Sequence, residues 1–353
     1  SSLTGTGPLS YSAGHHSSRE APMTRRSDLV KLSYITALAC QLFIGAPLFG
    51  AEAPALRGVH NALGGTMTPL FVAQDLGLFT KHGLQHSLNY LPATTAVQAL
   101  AAGSEEIGLV GNQCVDIGLE GADTVYVAAT ASRFIFQLYG DPAIKSVTDL
   151  KGKVIAATQP AASTDYAARI LLRKYGLVPD KDVKIIYAGS SPALLSMLKA
   201  GNAAAGLINA PVIYQAQEIG MKQIVNVTEL NIPFIFVAVC TTKKVIQQKP
   251  DAVIRYLRAY TEAISVILRD KETTLKIMGK NMKMDNRQWL EAVYDDIARV
   301  LQRTPYMRKP EVQAVLDVVK NPKGTQVKAE DFFDNSFLQK LEYSGFINSL
   351  YAR

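Results

Sequence analysis

Apolar and polar positions fall into helical and strand-like registers along most of the chain, and residues 93–113 show the pattern best. Thr94 or Thr95 suits an N-cap, and Val97, Leu100 and Ala101 recur at helical spacing. Gly103 closes that helix, because glycine takes a left-handed C′ conformation without steric cost. Residues 107–110 then form a short apolar run of the kind a buried parallel strand uses. A polar turn, Gly111-Asn112-Gln113, follows, and in open α/β sheets ligands sit beyond such carboxyl ends of strands.

The same unit returns further on. Leu100, Ala102, Gly103, Gly108, Leu109 and Val110 are echoed by Leu198, Ala200, Gly201, Gly206, Leu207 and Ile208, and the echo ends in its own polar turn, Asn209-Ala210-Pro211. Two copies of helix, glycine, strand and turn predict two similar α/β lobes with strand ends facing a shared space.

Around these units the pattern predicts a helix from Pro69 to Lys81 and strands at 86–91, 124–130 and 134–139, with a helix near 114–120. A second series has strands at 154–157, 184–187 and 223–227, and helices at 165–175 and 211–219. A strand at 234–240 returns to the first lobe. From Pro250 on, amphipathic helices are expected at 252–268, 286–301, 311–319 and 335–344, packed on the first lobe.

Composition changes this picture little. The chain has 353 residues, 48% hydrophobic and 19% charged, which suits a globular protein of two lobes. Its net charge of +7 is spread along the sequence, with no basic run interleaved with aromatics, so nucleic-acid binding is not expected. Residues 1–22 are expected to be a disordered extension or a cloning remnant. From Met23 a basic n-region and an apolar stretch predict a secretory leader over 23–53, and Cys40 offers a weak lipid-anchor site within it. Cys114 and Cys240 are most simply buried small hydrophobes; a disulfide between them stays open.

Enzyme motifs are absent: no Gly-x-Ser-x-Gly elbow, His-Glu-x-x-His pair, Walker A loop or Gly-x-Gly-x-x-Gly fingerprint occurs. Neither a metal site nor a cofactor is expected. His82 and His86 flank a helix end, where surface positions are expected. What recurs is a polar turn before a helix: Thr66-Met67-Thr68, Thr94-Thr95, Ser163-Thr164 and Ser190-Ser191. Free backbone N–H groups and the positive dipole end suit such turns to anions. Plain capping explains any one of them; only convergence on one cleft would say more.

The blocks Gly64-Gly65-Thr66-Met67-Thr68-Pro69, Asp75-Leu76-Gly77-Leu78-Phe79, Val97-Gln98-Ala99-Leu100-Ala101-Ala102-Gly103 and Ile107-Gly108-Leu109-Val110-Gly111 carry a family resemblance. So do the runs Ser146-Val147-Thr148-Asp149-Leu150-Lys151-Gly152-Lys153 and Pro250-Asp251-Ala252-Val253. Together they resemble the SsuA/THI5-like (NMT1-like) periplasmic solute-binding proteins, related to nitrate, sulfonate, taurine and thiamine-pyrimidine binders. The resemblance implies an α/β type II periplasmic-binding fold: lobe one at 56–140 plus 240–353, lobe two at 141–239, and crossovers near 139–143 and 235–240.

It also implies an exported, monomeric binding component of an ABC importer, with a small anionic or heteroaromatic ligand and an inner-membrane permease as partners. The implied contacts are Gly65, Thr66, Met67, Thr68, Thr94, Thr95, Asn112, Gln113, Ser163, Thr164 and Asn209; separately from the resemblance, Arg133 on a strand flank is a candidate counter-ion for an acidic ligand, with a plain surface arginine as the alternative. Ala93-Thr94-Thr95 and Asn209-Ala210-Pro211 depart from the family's usual Gly-Ser and Trp-Glu-Pro, so no particular ligand carries over. Two rival readings are a pyrimidine-synthesis enzyme of the same fold and a ligand-sensing periplasmic module.

Overall fold

The computed structural model of the chain describes residues 53–319 and 321–352. The expected extension, the leader up to residue 52 and Cys40 lie outside them. In chain order the described strands are β1 (Ala55–His60), β2 (Gln85–Tyr90), β3 (Ile107–Val110), β4 (Thr124–Arg133), β5 (Gln137–Gly140), β6 (Val154–Ala157), β7 (Lys184–Tyr187), β8 (Ala205–Ile208), β9 (Lys222–Asn226) and β10 (Pro233–Thr242).

They form two five-stranded sheets of one plan, β2-β1-β3-β10-β4 and β7-β6-β8-β5-β9. In each, three strands run parallel and the fourth is antiparallel to both its neighbours. β3 and β8, the strands of the sequence echo, occupy the same place in their sheets. Gly103 and Gly201 close the preceding helices Ala93–Ala102 and Ser191–Lys199 at φ 78° and 72°. Gly108 and Gly206 leave room for close neighbours: a Cβ there would lie 2.6 Å from Val59 Cγ1 of β1 and from Leu194 Cδ2 of the preceding helix, respectively. The repeat is therefore structural.

β1 was not foreseen. Its sequence, ALRGVH, breaks the apolar alternation with Arg57 and Gly58, yet Leu56, Val59 and His60 are buried. Gly58 leaves room for the His86 ring, whose Nε2 would lie 2.2 Å from a Cβ. That ring stacks on Phe79 at 4.0 Å, and burial pushes its pKa down to about 4. His86 is thus packed against aromatics rather than displayed on the surface. His82 bonds Glu262 at 2.7 Å.

Sheet membership puts the two passages between sheets earlier than the resemblance implies. The chain leaves the first sheet across Phe134, Ile135 and Phe136, all buried, and returns across 227–232. Phe134 stacks on Phe234 at 4.3 Å and Phe136 meets Phe236 edge-on at 4.9 Å, so the outgoing passage packs against the start of β10. Cys114 and Cys240 form a disulfide that joins the helix Gln113–Leu119 to β10.

The C-terminal helices include one that the pattern did not predict, Lys271–Met282. The helix Pro250–Arg269 buries Tyr256, Leu257, Tyr260 and Ile264 in the main core. The helix Arg287–Val300 is not confined to the first sheet. Leu290 and Val293 share a core with Ile208, Ala210 and Val212 of the second sheet's half, and Trp289 stacks on Tyr214 at 5.8 Å. No described helix is long and apolar enough to cross a membrane.

Candidate functional site

Between the two sheets lies a cavity of about 440 Å³. The carboxyl ends of all six parallel strands open into it: Asn61 to Gly64 beyond β1, Tyr90 at the end of β2 and Gly111 beyond β3. Thr158, Gly189 and Asn209 follow β6, β7 and β8. Phe136 from the outgoing passage and Phe236 from β10 also line it. None of the lining side chains carries a charge; the polar ones are hydroxyls and amides, including Thr66, Gln113, Gln159, Ser163, Thr164 and Ser190.

Helix starts set several of these groups. The helix Ser163–Lys174 begins at the cavity, and Thr164 Oγ1 accepts from the backbone N–H of Thr158 at 2.9 Å, fixing the turn after β6. Asp165 accepts from Ala161 N at 3.0 Å and from Arg169 Nε at 2.8 Å. Ser190 caps Ser191–Lys199 by accepting from Ala193 N. Asn209 forms no side-chain hydrogen bond among the described residues and lines the cavity, so its amide is available to a ligand.

Behind the cavity the two halves are bridged. Asn112, fully buried, donates to the carbonyl of Ala161 at 3.2 Å and accepts from Ser163 Oγ at 3.2 Å. It also donates to Asp116, which accepts from the Tyr166 hydroxyl at 3.0 Å. Burial raises the Asp116 carboxyl to about 6, against the two donors, which favour its charged form; Glu120 adds to the rise. Nearby, burial holds His60 below its usual value, although its Nδ1 contact with the Ala62 carbonyl opposes this. Among the described residues, no group of three or more His, Cys, Asp or Glu could hold a metal ion.

The NMT1/THI5-like family model matches residues 65–274, more than half of the chain and most of the cavity wall. The chain belongs to the NMT1/THI5-like family. A Brucella abortus protein with a provisional name as a binding protein is 28% identical over 221 residues, 61% of this chain and 67% of the relative. A Brachyspira hyodysenteriae protein, provisionally named a periplasmic binding protein of an ABC transporter, is 24% identical over 203 residues. That match spans 57% of this chain and 54% of the relative. The periplasmic aliphatic sulphonate-binding protein SsuA of Escherichia coli superposes with TM-score 0.60 at 20% identity, covering 82% of this chain and 87% of that one. The fold is the type II periplasmic-binding fold.

On this NMT1/THI5-like frame the residues expected at the site separate. Thr66, Gln113, Ser163, Thr164 and Asn209 line the cavity together. Gly65, Met67 and Thr68 stand in the wall behind it: Met67 and Thr68 are fully buried, and Thr68 Oγ1 donates to the Gly65 carbonyl at 2.5 Å. Asn112 sits in the bridge. Thr94 and Thr95 are exposed, and Pro92 lines the cavity in their stead. Arg133 lies in a different cavity, of about 350 Å³, with Arg299, Arg308 and Glu311. There it donates to Asn231 Oδ1 at 2.5 Å and to the Arg299 carbonyl at 3.2 Å.

Sequence reasoning missed Asn61, Tyr90, Phe136 and Phe236. The first follows the unrecognised β1. Phe136 lies in the outgoing passage and Phe236 near the start of β10, and no local pattern marks either as facing a cavity.

Proposed function

We propose that this protein is the exported substrate-binding component of an ABC importer and not an enzyme. It captures a small solute between two lobes and presents it to an inner-membrane permease as a monomer. One lobe carries β1–β4 and β10, the other β5–β9, and the helix Arg287–Val300 touches both. The observation that carries this reading is the convergence of six parallel strand ends on one cavity. That is where open α/β sheets hold ligands, and 440 Å³ suits a small molecule. Thr66, Gln113, Ser163, Thr164 and Asn209 are the proposed contacts. The Asn112–Ser163 and Asp116–Tyr166 bonds link the two lobes behind the cavity.

The test is a thermal-shift screen of the purified chain against small-solute classes, followed by small-angle scattering on any hit. A specific binder at a hundredfold excess over its dissociation constant should stabilise by about 2.7 kcal/mol. If no class raises the melting temperature, the solute-binding reading is lost.

A further inference from the structure

Arg133, the candidate counter-ion for an acidic ligand, lines a second cavity of about 350 Å³ that shares no lining residue with the cleft. Its walls come from the end of β4, the passage that returns to β10, the end of the helix Arg287–Val300 and the start of the helix Lys309–Leu316. Three guanidinium groups, of Arg133, Arg299 and Arg308, stand there against a single carboxylate, that of Glu311, so positive charge is in excess. Glu311 offers an occupant little. Its side chain is 2% exposed, Oε1 is held by Arg308 Nη2 at 2.6 Å, and Oε2 is enclosed.

Most of the guanidinium donors in this cavity are unspent. Arg133 is held in place by its bonds to the Asn231 amide oxygen and the Arg299 carbonyl, and neither it nor Arg299 forms an ion pair among the described residues. The Arg299 side chain forms no hydrogen bond there either; its charge opposes the rise that burial imposes on the Asp296 carboxyl. Glu229 lines a smaller adjoining cavity with both arginines, but its carboxylate accepts from Asn226 Nδ2 at 3.0 Å instead. A guanidinium has no acceptor atom and keeps its proton, so unlike an amide or a hydroxyl it cannot turn to suit a donor. Whatever fills this cavity must bring acceptors, and the unbalanced charge favours negative ones.

We propose that this cavity is a second binding site, for a small oxyanion of more than one negative charge such as phosphate, held between Arg133 and Arg299 with Arg308 as a third donor. Guanidinium forks match the paired oxygens of such a group. An anion there joins the end of β4 to the end of the helix Arg287–Val300, at the point where the chain leaves the first sheet and returns to it. The site lies apart from the cleft and does not rest on the solute-binding reading.

Inorganic phosphate and acetate, titrated calorimetrically into the whole chain at pH 7.5 and constant ionic strength, test it. Phosphate should bind saturably and at least about fivefold more tightly than acetate. Arg299 is exposed with no side-chain hydrogen bond to lose, so Arg299→Gln should keep the fold while weakening phosphate at least about tenfold. Lys184→Gln removes the same charge at the exposed start of β7, and Asn209→Ala alters the cleft; each should change phosphate affinity less than about threefold. Absence of saturable phosphate binding overturns the assignment, as do equal affinities for acetate and phosphate or an Arg299→Gln variant that binds phosphate unchanged. So does an effect of Lys184→Gln that matches that of Arg299→Gln, which would mean diffuse surface charge. A larger effect of Asn209→Ala would place the anion in the cleft and overturn it too. The solute-binding reading falls only on the separate thermal-shift screen.

Discussion

Tyr166 donates its hydroxyl hydrogen to Asp116 at 3.0 Å, and the two residues stand on helices that follow strands of different sheets. Burial raises the Asp116 carboxyl from 3.8 to about 6 in the folded chain. The stability this group contributes is complete below about pH 3.8 and is lost as pH rises through about 6. At ~1.4 kcal/mol per pKa unit the loss is on the order of 3 kcal/mol. Asp116→Asn cannot ionise, so urea melts at pH 4.5 and 7.5 should show wild type losing ground to the variant across that interval. Parallel profiles would mean that Asp116 is not desolvated. Tyr166→Phe, which removes a donor to the charged form, should shift the wild-type step to higher pH.

The Cys114–Cys240 disulfide closes a long loop, with a sequence separation of 126, between the helix after β3 and the strand that returns from the second sheet. Closing so long a loop restricts the unfolded chain most, and the typical contribution is about 2–5 kcal/mol. Both cysteines are buried, so the paired Cys114→Ala, Cys240→Ala variant should fold with a clearly lower urea midpoint. Reducing agent should lower the wild-type midpoint towards the variant's and leave the variant unchanged. A reductant effect on the variant would place the loss elsewhere.

Much of this fold was legible because the repeat at 93–110 and 191–208 pairs helix and strand periodicities with a glycine stop, and each signal is local. β1 was illegible because its burial comes from β2 and β3 on either side, not from its own pattern. The helix Lys271–Met282 hides similarly, with Leu275, Ile277 and Met278 buried among polar neighbours. At the site, Thr66, Ser163 and Asn209 were legible as polar turns at strand ends. Thr94 and Thr95 were expected to cap their helix, but it starts earlier, at Ala93 after Pro92, which puts both within its first turn, exposed.

That difference gives a binding contrast. Asn209 lines the cavity with an unbonded amide, whereas Thr95 is exposed and outside the cavity. With any solute that the thermal-shift screen identifies, Asn209→Ala should weaken binding about tenfold, the scale of one lost hydrogen bond of ~1.4 kcal/mol. Thr95→Ala should change it less than about twofold. Calorimetric titration of both variants checks this, and the reverse order would move the site towards the exposed turn.

Trp289 is the single tryptophan of the chain, and it stacks on Tyr214, a residue of the second sheet's half, at 5.8 Å. Its helix also touches the cavity's wall: a Cβ on Gly65 would lie 2.2 Å from Val293 Cγ1, so the helix is seated against the Gly65 backbone. Any movement of the second half relative to this helix must alter the Trp289–Tyr214 contact, because the two rings belong to opposite partners. Tryptophan emission should therefore change in intensity or maximum when a solute closes the cleft, in step with the calorimetric isotherm. Tyr214→Ala should remove most of that signal while leaving the affinity within about threefold, since Tyr214 does not line the cavity. An emission change that survives Tyr214→Ala in full would show that Trp289 senses something other than the approach of the second half.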